Sequence, residues 1–187
     1  MLLGAAKFLA NNDCFSGTVY FVFQPNEEHG LGAKAMLEDG LLERFPAKEI
    51  YGIHNLPGAP LGEFSTRVGV ICASETLFEI TIEGRGDHSS MPHLGVDTIL
   101  VGSELVMSIQ TIVSRKLDPG STAVVSVTEF ISDGARNVLP GKTVLKGDIR
   151  THNSKDRSKV QKFLKQICNG VAKLHGVKIN ISIKNEF

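Results

Sequence analysis

Two adjacent carboxylates, Glu27 and Glu28, are the residues of this sequence that point most directly to chemistry. They lie in the loop QPNEEHGLG, directly after the apolar run GTVYFVF. Carboxylates at the end of a buried strand are unfavourable unless a positive charge, such as a divalent metal ion, lies beside them. In metal-assisted hydrolysis one carboxylate binds the ion and another takes a proton from the bound water. Because neighbouring side chains on an extended backbone point in different directions, this pair fits both roles. The alternative is a solvated loop before a helix.

A histidine, His54, ends the next apolar segment, EIYGIH. A neutral imidazole at the end of a strand is a common metal ligand. The alternative is a histidine held by local backbone hydrogen bonds, and the Glu-Glu pair after the preceding strand favours the ligand. We therefore predict a divalent metal site. Zn²⁺ and Mn²⁺ both fit, because these ligand types do not select between them.

Three residues in the second half of the chain could contact a substrate. His88 lies in the glycine-containing loop GRGDHSSMPH, and loop-borne histidines often bind or donate. Asn137, in ARNVLP, carries an amide that can donate to an oxyanion, although it could equally be a turn residue. Arg150 could hold a substrate carboxylate through two N–H groups; alternatively it pairs with Asp148 or Glu129 across a sheet.

Glu27, Glu28 and His54 lie within residues 1–74. The pattern of this segment predicts part of an α/β domain. The runs 17–23 and 49–54 are continuously apolar, which is typical of strands buried on both faces. Helices are predicted at 2–10 and over AKAMLEDGLLERF. Two parallel strands are not stable alone in water, so this part does not close its own sheet.

Residues 75–187 have a different pattern, which predicts a smaller α+β domain. Alternating strands and amphipathic helices follow one another in the order β-α-β-β-α-β, which is ferredoxin-like. The predicted elements are strand 77–83, helix 97–115, strands 123–131 and 143–151, a second helix and strand 178–184. In the first helix we expect Ile99, Leu100, Ser103, Val106 and Met107 to face inward, and in the second Val160, Phe163, Leu164, Ile167 and Val171.

Composition excludes several classes of partner. Hydrophobic residues make up 42% of the chain, and 20 basic residues balance 20 acidic ones. Nucleic acids and anionic membrane surfaces require a basic footprint, so neither is expected as a partner. The scattered Cys14, Cys72 and Cys168 indicate reduced thiols. The N-terminal segment does not resemble a signal peptide, and a cytoplasmic protein is expected.

Taken together, the motifs resemble one family of enzymes. GTVYFVFQPNEE, GLGAKAM, YGIHNLP, EITIEGRGDHSSMPH, NVLP and GDIRT are similar, in the same order, to the amidohydrolase branch of the metallopeptidases related to aminoacylase and glutamate carboxypeptidase. This branch contains hippurate hydrolases and auxin-conjugate hydrolases. The resemblance covers residues 1 to about 184, and the spacing from Gln-Pro-x-Glu-Glu to His-Asn-x-Pro is its most specific part.

The resemblance implies an enzyme that hydrolyses N-acyl amino acids with a divalent metal. By analogy, Glu27 is the general base, whereas Glu28 and His54 are metal ligands. His88 resembles a lid histidine that reaches the active site of the partner subunit in a homodimer. Asn137 resembles a residue that binds substrate or oxyanion, and Arg150 one that contacts the substrate carboxylate. The ferredoxin-like part matches a lid and dimerisation domain.

Part of the metal site expected from the family lies outside this sequence. Members carry a Cys-Gly-His-Asp motif before the position of Met1 and a late histidine after the lid, and both supply ligands. We therefore expect the isolated 187-residue polypeptide to have little or no hydrolase activity. Two alternatives stay open, namely a non-catalytic dimerisation fragment and a dipeptidase or desuccinylase of the same superfamily.

Overall fold

The chain divides into two units. The computed structural model describes residues 1–12, 15–27 and 30–186, which divide into unit 1, ending at Glu63, and unit 2, beginning at Phe64. The domain boundary expected from the sequence, between residues 74 and 75, falls within unit 2 at the start of its first strand.

Unit 1 contains helices α1 (Leu2–Ala10), α2 (Leu31–Glu38) and α3 (Leu41–Arg44). Between α2 and α3, Gly40 has a φ of 82°, a conformation that glycine adopts without steric penalty. The first helix and the glycine-interrupted second helix predicted from the sequence are therefore confirmed.

The two strands predicted for unit 1 are wrong. Residues 17–23 and 49–54 form no β-ladder with any described residue. Their apolar side chains are largely exposed, with Ile50 at 79% and Tyr51 at 84%. An apolar run becomes a buried strand only where a neighbouring strand satisfies its N–H and C=O groups. No such neighbour occurs in the described part of unit 1.

The described part of unit 2 contains six strands and two long helices. The strands are β1 (Ser74–Glu83), β2 (Asp87–His88), β3 (Ala123–Ser132), β4 (Val138–Leu139), β5 (Lys142–Thr151) and β6 (Lys178–Asn185), and the helices are α4 (Thr98–Thr111) and α5 (Ser154–His175). The long strands form one antiparallel sheet in the order β3-β5-β1-β6. The short strands β2 and β4 pair separately as a ribbon that was not predicted.

The core of unit 2 lies between one face of the sheet and both helices. Inward residues alternate along β1 as Phe78, Ile80 and Ile82, and all three are buried. Close packing of the strands depends on Gly147 in β5. A Cβ atom there would lie 1.9 Å from the Ser126 carbonyl oxygen and 2.5 Å from the Phe78 ring.

The predicted inward face of α4 is wrong by part of a turn. Ile99, Leu100, Ser103 and Met107 are exposed, Val106 is half-buried, and the buried residues are Thr98, Val101, Gly102, Leu105 and Ile109. Because α4 is apolar on most of its surface, side-chain spacing alone fits more than one face. The orientation is set by close approach to β3, since a Cβ at Gly102 would lie 2.8 Å from the Phe130 ring.

Helix α5 has the predicted inward face and defined ends. Val160, Leu164 and Val171 are buried, while Phe163 and Ile167 pack against the core. Asn153 caps the first turn by accepting from the Asp156 N–H at 2.8 Å. In the ranges that the structure describes, no helix has the length and apolar composition needed to cross a membrane.

Candidate functional site

The loop that carries Glu27 has an unusual backbone. Asn26 has a φ of 48°, in the left-handed region that few residues other than glycine adopt. The Gly30 N–H donates to the Glu27 carbonyl oxygen at 2.9 Å. A Cβ at Gly32 would lie 1.6 Å from the Pro25 carbonyl oxygen. The loop therefore closes tightly against the first turn of α2, and this local geometry fixes where Glu27 lies.

Glu27 and His54 lie next to each other in unit 1. Glu27 Oε1 is 3.9 Å from His54 Nε2, and both side chains are more than half exposed. The sequence predicted this proximity from two strand ends. The structure achieves it although neither preceding segment is a strand.

The hydrogen bonding of His54 determines which ring nitrogen carries the proton. Nδ1 lies 3.0 Å from the backbone carbonyl oxygen of Asn55, and a carbonyl oxygen can only accept. Nδ1 is therefore the donor, and the lone pair of the neutral ring is on Nε2, which is the nitrogen closer to Glu27. Metal-binding histidines commonly donate their second N–H to a backbone carbonyl in the same way. A protonated His54 would instead form an exposed ion pair with Glu27.

This pair fits part of a metal site. An imidazole lone pair is a ligand that Zn²⁺ and Mn²⁺ accept, and a carboxylate beside it can act as a base towards metal-bound water. Glu28, the predicted ligand, lies outside the described residues. Within those residues no group of three or more His, Cys, Asp or Glu could hold a metal ion, whereas structural and catalytic sites use at least three protein ligands.

His88 and Asn137 come together in the ribbon of unit 2. His88 in β2 pairs with Val138 in β4, and the Ser89 N–H donates to the Asn137 carbonyl oxygen at 2.9 Å. The two residues were selected from separate motifs, and the structure places both at one end of the sheet.

Glycines allow the ribbon to pack closely against neighbouring backbone. A Cβ at Gly86 would lie 2.7 Å from the Leu139 carbonyl oxygen, and one at Gly95 would lie 2.8 Å from the Arg85 carbonyl oxygen. The Gly84 N–H also donates to the Gly141 carbonyl oxygen at 2.9 Å. Tight backbone packing of this kind holds His88 in a defined position although its side chain is exposed.

Arg150 lies elsewhere in unit 2. Its Nε donates to Asp148 at 2.6 Å, and Nη2 pairs with Glu75. Pairing with Asp148 is one of the alternatives that the sequence left open. The ribbon adjoins the start of β5 at Lys142, and the strand extends roughly 26 Å from there to Arg150 at about 3.3 Å per residue. The structure therefore does not bring Arg150 close to His88 and Asn137 within one copy of unit 2.

Several interacting residues were missed by the sequence analysis. Ser90 contacts the His88 ring, and Glu75 pairs with Arg150. His175 lies 2.6 Å from Glu104 and so joins α5 to α4. Only Ser90 had a local signal, since it is two residues from a candidate histidine. The other two pairs join residues more than 70 positions apart.

Glutamate and histidine are residue types that the metal sites of hydrolases use. Residues 1–183 match the sequence profile of peptidase family M20/M25/M40, and the chain belongs to this family. The family resemblance inferred from the motifs is thereby confirmed.

Two relatives match most of the chain. The chain is 38% identical to hippurate hydrolase of Campylobacter jejuni over 181 residues, which are 97% of the chain and 47% of that protein. It is 39% identical to IAA-amino acid hydrolase ILR1-like 4 of Arabidopsis thaliana, over 89% of the chain and 38% of that protein. A dinuclear metal-binding peptidase of the M20 family from Bacillus subtilis has a similar structure. The TM-score is 0.75 at 28% identity, over 100% of the chain and 46% of that protein. The chain thus spans about half the length of the relatives it matches, or less.

Proposed function

We propose that the chain carries the central part of the active site of a metal-dependent hydrolase that cleaves the amide bond of N-acyl amino acids. The observation that carries this proposal is the position of Glu27 beside Nε2 of His54, whose other ring nitrogen lies against the Asn55 carbonyl oxygen. Membership of the M20/M25/M40 family and similarity to hydrolases named for N-acyl amino acid substrates support it.

Two residues of unit 1 would hold the metal, and a third would move protons. His54 Nε2 and the Glu28 carboxylate would be ligands of Zn²⁺ or Mn²⁺. When bound, the ion would polarise the substrate carbonyl and favour ionisation of water. Glu27 would take a proton from that water and donate it to the nitrogen of the leaving amino acid.

Residues of unit 2 would bind the substrate. His88 and the Asn137 amide would donate to the oxygen that becomes negative as water adds to the carbonyl. Arg150 would contact the carboxylate of the amino acid. Its guanidinium has five N–H donors, and its ion pairs with the described residues Asp148 and Glu75 use Nε and Nη2, so Nη1 would be the donor to the substrate.

We also propose that residues 75–187 are a ferredoxin-like lid that forms a homodimer. The β-α-β-β-α-β order of the long elements and the sheet order support this assignment. An extended N-acyl amino acid is on the order of 10 Å long. Arg150 and the ribbon are roughly 26 Å apart along β5, so one copy cannot present both to the same substrate molecule. A second copy would supply His88 and Asn137 to the site that Arg150 serves.

The edge strand β3 is a suitable surface for such pairing. Val124, Phe130 and Ile131 are exposed on it, and an uncovered apolar edge strand can pair with a second copy. Sedimentation equilibrium of the chain tests this proposal. We expect a dimer, and Val124→Lys together with Ile131→Lys should give monomers with an unchanged circular dichroism spectrum. A monomeric wild-type chain would contradict the proposal.

Calorimetric titration with Zn²⁺ and Mn²⁺ tests the metal site directly. We expect weak binding by the wild-type chain, because only part of the ligand set is present. His54→Ala should weaken it at least about tenfold. His152→Ala, which changes a histidine in unit 2, is the matched control and should bind as the wild type does. Equal binding by all three proteins would show that His54 is not a ligand.

A chimera tests catalysis. Residues 1–183 would replace the matching segment of the Campylobacter hippurate hydrolase, and hydrolysis would be measured with a panel of N-acyl amino acids. Glu27→Gln should lower kcat by about 10²–10⁴-fold, the usual contribution of a general base, while metal binding persists. Wild-type kcat in this variant would rule out Glu27 as the base.

The isolated chain provides the complementary measurement. We expect little or no turnover from it with Zn²⁺ or Mn²⁺. The proposed ligands His54 and Glu28 are only two, and a stable site uses at least three protein ligands. Metal-dependent turnover at the rate of the chimera would show that this chain forms a complete site by itself.

A further inference from the structure

The His88 ring makes two contacts with one neighbouring residue, Ser90. Nδ1 of His88 lies 3.2 Å from the backbone N of Ser90 and 2.7 Å from its Oγ. A backbone N–H can only donate, so Nδ1 must carry a lone pair. The Ser90 hydroxyl then donates to the same nitrogen, and the single proton of the neutral ring is on Nε2.

We propose that Ser90 is a positioning residue that keeps His88 in the Nε2–H form and holds its ring in place. This inference rests on the proposed function, in which His88 donates to the substrate oxygen. The backbone beside it is also fixed. Asp87 Oδ1 accepts from the His88 N–H at 2.7 Å, and the His88 carbonyl oxygen accepts from the Met91 N–H at 2.9 Å.

The two candidate histidines have opposite proton positions. In His54, Nδ1 donates to the Asn55 carbonyl oxygen, and Nε2 keeps the lone pair that a metal ligand needs. In His88, Nδ1 accepts from Ser90, and Nε2 keeps the proton that a donor to an oxyanion needs. Histidine thus offers a lone pair to a cation in unit 1 and an N–H donor to an anion in unit 2.

The contacts also argue against Ser90 as a nucleophile. A serine nucleophile needs a base whose lone pair is free to take its proton. The backbone N–H of Ser90 already shares the Nδ1 lone pair of His88, which reduces the basicity of that nitrogen. Ser90 therefore serves the orientation of the ring.

Long-range ¹H–¹⁵N spectra of the whole chain, labelled at histidine and recorded above the pH at which histidines ionise, test the proposal. The His88 signals are assigned by their loss in His88→Asn. We expect a proton on Nε2 in the wild type. In Ser90→Ala the fraction with the proton on Nδ1 should rise about fivefold, which corresponds to one net hydrogen bond of about 1 kcal/mol.

Two further variants separate positioning from a general effect on the fold. Ser90→Thr keeps a hydroxyl and should restore the wild-type spectrum. Ser89→Ala removes the adjacent hydroxyl, for which the described residues show no hydrogen bond, and should change nothing. The proposal would be overturned if His88 of the wild type carried its proton on Nδ1. It would also be overturned if the Nδ1-protonated fraction were unchanged in a folded Ser90→Ala protein.

This measurement needs neither metal nor substrate, so its outcome is independent of catalysis. If His88→Asn leaves kcat of the chimera unchanged while the spectra agree with expectation, the proposed role of His88 fails and the action of Ser90 on the ring stands. If both hold, Ser90→Ala should lower kcat of the chimera in proportion to the loss of the Nε2–H fraction seen in the spectra, with KM unchanged, since the donor acts on the transition state.

Discussion

Unit 1 and unit 2 position their polar side chains by different means. Among the described residues of unit 1 only Gly32 is buried, and the Glu27–His54 pair depends on turns and close backbone contacts. Unit 2 has an apolar core between its sheet and two helices, and the ribbon with His88 is packed against that scaffold. We therefore expect unit 2 to determine the measured folding stability, whereas changes in unit 1 act locally.

Truncation of a core isoleucine should give the largest effect. Ile80 is fully buried, so Ile80→Ala should lower the free energy of unfolding by about 4 kcal/mol. Ile50 in unit 1 is 79% exposed and is the matched control. Ile50→Ala should change the value by about 0.5 kcal/mol or less. Urea unfolding followed by circular dichroism gives both values, and similar losses in the two variants would contradict the comparison.

A methyl group added to a close-packed glycine should change the free energy of unfolding in unit 2 but not in unit 1. Gly147→Ala places a Cβ against the Ser126 backbone and the Phe78 ring, and should lower the free energy of unfolding by about 3 kcal/mol. Gly32→Ala places one against the Pro25 carbonyl oxygen. It should displace the Glu27 loop, seen as changed amide shifts there, while the unfolding of unit 2 is unaltered. A global loss of stability in Gly32→Ala would show that the units are not independent.

Most of unit 2 could be predicted from the sequence because its local patterns and its tertiary contacts agree. Alternation in β1 and β6 and the three-and-four spacing in α5 each specify one buried face. Helix α4 has no such contrast, and its orientation depends on Gly102 meeting Phe130, a contact that spacing cannot reveal. The ribbon of β2 and β4 is too short to have a periodic pattern.

Unit 1 shows the opposite relation between sequence and structure. The apolar runs before Glu27 and His54 have strong strand propensity, yet no partner strand among the described residues satisfies them. The proximity of Glu27 and His54 was predicted nonetheless, although the prediction relied on two strand ends that the structure does not contain. Arg150 shows the limit of such reasoning, since its pairing with Glu75 depends on the register of β1 and β5.

Thiol reactivity should sharpen the contrast between buried and exposed positions within unit 2. Burial raises the pKa of the Cys168 thiol from 9.0 to about 11, which lowers its thiolate fraction near pH 8 by about a hundredfold. Cys72 is exposed. In a Cys14→Ser background, which removes a thiol outside the described residues, a disulfide reagent should label Cys72 rapidly and Cys168 only after unfolding. Equal rates in the folded protein would show that the core is open to solvent.

The smallest effect that we expect concerns the first turn of α5. The pKa of Asp156 lies below its usual value of 3.8. The largest cause is a hydrogen bond from the Asn153 amide, and the next is one from the Ser121 hydroxyl. A carboxyl group whose pKa is lower in the folded state stabilises the fold above its unfolded pKa, and this contribution is lost as the pH falls through the folded pKa.

Asp156→Asn keeps an acceptor for Asn153 but has no charge. The wild type should therefore exceed this variant in urea midpoint at pH 7, and the difference should shrink as the pH is lowered from 5 towards 3. A difference that stays constant over this range would mean that the charge of Asp156 is not what stabilises the turn. Because the expected effect belongs to unit 2, whose core sets the global transition, it should appear as a shift of that whole transition.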